Sequence, residues 1–220
     1  MKKVLILIGS VLLLAGGFAA SFIALDTIRT ATHQVNSTSE PPKVEASFDD
    51  ELQASPGVRQ DPEVLAALQT IGAKQRDLSD LELRYAPYDE IQAACEWEEA
   101  SGCFTGDYDD SMAMRYVIYA GGGDDEQDFL RIVAHEYLHY VWQKDALASD
   151  SELIDALYQL YRTNPDMRER ISPHYTDTSV DISDEIFSYG CTEFSSSLLG
   201  EYLSDRCNQY ISTSALTPYF

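Results

Sequence analysis

Residues 131–144 read RIVAHEYLHYVWQK, and this stretch constrains the chain more than any other. Phe129, Ile132, Val133, Tyr137, Tyr140 and Val141 recur at the spacing of an α-helix and give it an apolar surface. Residues four apart on a helix project from the same face. His135 and His139 are so spaced, and Glu136 lies beside the first. The sequence contains 4 histidines, so 2 of them on one helical face is a pattern that calls for a chemical reason.

The neighbouring segments predict an α+β domain around that helix. Asp61-Pro62 opens a helix, with proline at its first position, and Val64, Leu65, Leu68 and Ile71 form its apolar stripe. LELRYAP alternates and reads as a strand. IQAACEWEEASGCF reads as two short strands about a turn at Ser101-Gly102. MAMRYVIYA is rich in aromatic and β-branched residues, reads as a further strand, and ends at Gly121-Gly122-Gly123. Asp124 and Asp125 begin the histidine helix with negative charge at its positive end. SELIDALYQLYR forms another helix, broken at Asn164-Pro165. After the loop SPHYTDTSVDIS, one long last helix is expected through DEIFSYGCTEFSSSLLGEYLSDRCNQYI. The sheet should be short and mixed.

Ahead of this domain, residues 4–25 form an uncharged apolar run long enough to cross a bilayer as a helix. Lys2 and Lys3 before it and Asp26 after it orient it with the N-terminus in the cytoplasm. A cleaved signal peptide is the alternative, with small residues at Ala19-Ala20-Ser21. Residues 1–25 are therefore read as an anchor or signal, 26–60 as a polar flexible stalk, and 61–220 as the folded domain. The stalk carries a formal glycosylation triplet at Asn36-Ser37-Thr38 and His33, to which no role is assigned. Either reading exports the domain. Its 4 cysteines agree, pairing most simply as Cys95–Cys103 and Cys191–Cys207. A net charge of −22 repels phosphate backbones and argues against a nucleic-acid partner.

The spacing of His135 and His139 lets both offer a ring nitrogen to one Zn²⁺. The metal lowers the pKa of a bound water and polarises a carbonyl, and Glu136 takes the proton. HEYLH on a helix, after a strand and before a carboxylate-bearing helix, resembles the zincin metallopeptidases. The sequence lacks the His-x-x-Gly-x-x-His extension, so the resemblance favours the gluzincin-like branch, in which a glutamate on a later helix is the third ligand. Glu185, followed by Ser188, and Glu193, followed by Ser196, both qualify, and His174 is a third choice. The family's ligand sits near the start of its helix, which Asp184-Glu185 fits better. Glu193 would then bind a histidine's far nitrogen, or be the ligand itself. Neither glutamate has the acidic residue four positions on that some members use.

By the same resemblance, His174 or Tyr175 would stabilise an oxyanion, and the strand MRYVIYA would hold an extended substrate at its edge. Trp97 and Trp142 are expected in the core, and Arg206 in an ion pair with a nearby carboxylate. The resemblance implies a zinc-dependent peptidase acting on a peptide or protein substrate, and the apolar N-terminal run places it outside the cytoplasm, anchored in the membrane or secreted if the run is cleaved. A zincin-fold binding protein without turnover, and a metal-dependent hydrolase of non-peptide bonds, are the alternatives.

Overall fold

The computed structural model describes residues 58–74, 78–95, 100–108, 114–173, 175 and 181–220. The expected anchor, the stalk up to residue 57, Trp97 and His174 lie outside the described residues. Among the described residues no helix is long and apolar enough to cross a membrane.

The described chain is α+β. Helix α1 (Pro62–Thr70) leads to strand β1 (Leu81–Tyr85), helix α2 (Tyr88–Cys95), and strands β2 (Gly102–Tyr108) and β3 (Met114–Ala120). Five helices follow: α3 (Glu126–Lys144), α4 (Ser151–Thr163), α5 (Pro165–Ile171), α6 (Ser183–Glu193) and α7 (Ser196–Asn208). The three strands form a mixed sheet in the order β1-β3-β2. β1 runs parallel to β3, with Leu83 opposite Ile118, and β2 runs antiparallel to it, with Phe104 opposite Ile118. The expected short mixed sheet is present. The strand proposed as a substrate edge, MRYVIYA, is its central strand: both its edges are taken by β1 and β2, so it has no free edge to offer.

Helix α3 lies at the centre. Val133, Ala134, Tyr137, Leu138, Tyr140 and Val141 are each fully buried, between the sheet and helices α1 and α6. Its start is built as the acidic sequence suggests: the Asp125 side chain accepts the Asp128 N–H at 2.9 Å and satisfies a free amide of the first turn. Trp142 is buried, as expected, and packs on Phe187 of α6. Arg206 forms the expected ion pair, with Asp150.

Two expected elements differ. Residues 88–95 are helical, so the first bridge ties the end of α2 to β2 rather than closing a hairpin. The local sequence supports the helix: the Pro87 carbonyl accepts the N–H of Glu90 and Ile91, and Asp89 and Glu90 put negative charge in the first turn. The long last helix is two helices, α6 and α7, broken at Phe194-Ser195. The C-terminal residues cause the break. The N–H groups of Tyr219 and Phe220 donate to the Glu193 carbonyl, Ser195 N–H donates to the Phe220 carbonyl, and the Phe194 and Phe220 rings stack at 4.7 Å. Within α7, Gly200 takes φ 77°, a positive φ that glycine adopts without a steric clash.

Both disulfides pair as read from the sequence, Cys95–Cys103 and Cys191–Cys207. They fit an oxidising compartment. The second closes a sequence separation of 16 and clamps α7 onto α6. Replacing Cys191 and Cys207 with Ala is expected to remove about 3 kcal/mol of loop-closure stabilisation. Thermal unfolding of the double variant checks this, and an unchanged midpoint would contradict it.

Candidate metal centre

Helices α3 and α6 pack side by side and bring three donor groups together. One ligand atom from each of His135, His139 and Glu185 lies within 4.8 Å of the others. The two histidine Nε2 atoms are 3.2 Å apart. Glu185 Oε2 lies 3.5 Å from His135 Nε2, and Oε1 lies 3.7 Å from His139 Nε2. Two imidazoles and a carboxylate converging from three side chains could hold a metal ion. Glu185 sits in the first turn of α6, the placement that the sequence favoured over Glu193.

Glu193 is placed elsewhere. It is buried at the end of α6 and forms a two-pronged ion pair with Arg170 of α5, Nε to Oε2 at 2.7 Å and Nη2 to Oε1 at 2.8 Å. Arg170 also lies over the Tyr189 ring, 4.5 Å from its centroid, and the Tyr189 ring packs on that of His135 at 4.4 Å. Glu193 is thus joined to His135 by a chain of contacts through Arg170 and Tyr189. Neither of these two stood out in the sequence, because nothing local marks an arginine or a tyrosine as a neighbour of a distant helix.

Tyr175 is at the site, but its phenol donates to Glu185 Oε1 at 2.5 Å. It orients the candidate ligand in this structure. Asp184, one residue before Glu185, faces the other nitrogen of His139, with Oδ2 3.6 Å from Nδ1. A carboxylate at that position fixes the ring and its tautomer, as partners of metal-binding histidines do. The acidic partner that the sequence lacked four residues after the glutamate is thus supplied one residue before it.

Glu136 is 8% exposed, beside the three donors and at the floor of an open cleft of about 760 Å³. Helices α3 and α6 form one side of this cleft, and Gly102–Phe104 of β2 the other. Burial pushes the Glu136 carboxyl above the usual carboxylate range, opposed by the two histidines and the Phe104 backbone N–H. That is the direction expected of a carboxylate that must accept a proton. Burial resists charge on Glu185, yet His135, His139 and the Tyr175 phenol hold it down to about 2. Burial also resists charge on His139, but Asp184, Glu136 and Glu185 outweigh it and raise the imidazole to about 9.

A metal ligand must be neutral imidazole, so a metal held at the candidate site would compete with a proton at His139. Its ordinary value is 6.5 and its folded, metal-free value about 9. Metal affinity is therefore expected to rise with pH, by about tenfold per unit below pH 9, as one proton is displaced. The same raised value stabilises the metal-free fold below pH 6.5, a contribution lost as pH passes about 9. Competition against a chromophoric chelator, corrected for its own protonation, checks the first expectation. Equal affinity at pH 7 and pH 8.5 would contradict it.

No family model matches this sequence, and no curated protein or solved structure matches it.

Proposed function

We propose that the protein is a zinc-dependent peptidase whose folded domain lies outside the cytoplasm, tethered through residues 1–25 or released from them. One observation carries this reading: His135, His139 and Glu185 converge at the floor of an open cleft, with the buried carboxylate of Glu136 beside them. A site that only stored metal would have no need of that carboxylate.

The donor set fits zinc. Two imidazoles and one carboxylate match the three protein ligands of hydrolytic zinc sites, which leave a position open. Zinc held there would supply Lewis acidity and would bring the pKa of a water down toward neutrality. The remaining work falls to the chain. Glu136, raised by burial, accepts the proton. Asp184 and Tyr175 hold His139 and Glu185 in place. β2 is an outer strand of the sheet and borders the cleft, so an extended peptide would run along it rather than along β3.

The reading is tested by elemental analysis of purified wild type and His139→Ala. Wild type is expected to carry about one zinc per chain and the variant far less. Equal zinc in the two removes the site. Hydrolysis of unfolded casein, present before and absent after chelation, is expected of a peptidase. A metal-loaded protein inert toward casein would favour a binding role or a non-peptide substrate.

A further inference from the structure

Strand β2 lies against α3 at the residue that the peptidase reading makes the general base. A Cβ at Gly102 would stand 2.6 Å from Ile132 Cγ2, 3.0 Å from the Tyr119 carbonyl oxygen and 3.3 Å from Glu136 Cγ. Gly102 does not have the positive φ that marks Gly72 and Gly200. Space, and not backbone conformation, is what excludes a side chain there.

The sheet register shows what this contact places. The Ser101 carbonyl accepts the Gly121 N–H at 2.9 Å, and the next pair is Gly102 with Ala120. Hydrogen-bonded and non-bonded pairs alternate along an antiparallel ladder. The N–H groups of Gly102 and Phe104 therefore face away from β3, and that of Phe104 meets Glu136. The Phe104 ring stacks on Tyr116 at 5.4 Å and lies 6.4 Å from the ring of His139. Between these two residues, Cys103 is bonded to Cys95 of α2, so the strand is fixed from its other face.

We propose that Gly102 is a positioning residue: its missing side chain lets β2 settle onto α3, and this seats the Phe104 amide and ring against Glu136 and His139. The proposal rests on the peptidase reading for its effect on turnover, and on geometry alone for the placement of the amide.

The test uses the full chain and its Gly102→Ala variant. With casein as substrate, kcat is expected to fall about ten- to hundredfold, the cost of moving a catalytic group by about 1 Å. Zinc content should equal that of wild type. Adding Ile132→Ala, which removes the nearest clashing atom, should recover part of the loss relative to Ile132→Ala alone. Hydrogen exchange read residue by residue supplies a measure that needs no substrate. The Phe104 amide should exchange faster in Gly102→Ala, while Cys103 and Thr105, which pair with β3, stay protected. Wild-type kcat in Gly102→Ala, loss of zinc together with activity, or equal exchange at Phe104 would each overturn the proposal. If wild type holds zinc but cleaves nothing, the peptidase reading fails, and the exchange comparison alone decides the placement.

Discussion

Glu136→Gln is expected to keep its metal and to lose about 10²–10⁴-fold in peptide hydrolysis, the usual worth of a positioned general base. The substitution preserves the size of the side chain and removes only its basic oxygen. His135, His139 and Glu185 are untouched, so zinc content should equal that of wild type. The site also explains why the loss should be large. Glu136 is buried, and its carboxyl is raised by that burial, so it takes up a proton more readily than a solvent-exposed glutamate. Steady-state rates and metal analysis on the same preparation check the expectation. Unchanged turnover with zinc present would show that another group accepts the proton.

Glu185→Gln and Glu193→Gln are expected to separate cleanly, although the two glutamates share one helix. Glu185→Gln removes a proposed ligand and should lose zinc affinity by orders of magnitude, along with activity. Glu193→Gln should hold most of its zinc, because its carboxylate bonds Arg170 and not the donor cluster. Its cost is in the fold. Breaking the pair leaves the partly buried Arg170 guanidinium without its carboxylate, a loss of about 1–3 kcal/mol. Tyr189 lies between Arg170 and His135, so a modest fall in zinc affinity should accompany it. Metal titration and thermal unfolding of the two variants test both halves. The reverse pattern, with Glu193→Gln losing zinc and Glu185→Gln keeping it, would contradict the placement.

What could be read from the sequence was what local chemistry decides. Helix α3 was legible because its apolar spacing, the acidic residues at its start and the glycines before it all act within a few residues. The disulfides were legible because each closes a short span. The choice between Glu185 and Glu193 could only be favoured, since it depends on where Arg170 of another helix arrives. The break at Phe194 was hidden for a similar reason: its hydrogen bonds come from the C-terminal residues, far along the chain. Helix α2 was misread although its signals were present. The chain before it has Pro87, and Asp89 and Glu90 fill its first turn, but the cysteine beside a Ser-Gly turn suggested a hairpin. The substrate strand was misassigned because its place in the sheet is set by pairing with β1 and β2, segments elsewhere in the chain, and nothing in MRYVIYA itself records that both its edges are taken.

Peptide hydrolysis is proposed to depend on a zinc ion held by His135, His139 and Glu185. The most direct measurement takes purified protein, strips it with a chelator, and restores Zn²⁺ stepwise while casein hydrolysis is followed. Activity should vanish on stripping and return in proportion to zinc, reaching its plateau at about one ion per chain. Hydrolysis that survives complete removal of the metal, or that returns equally in His139→Ala, would contradict the claim.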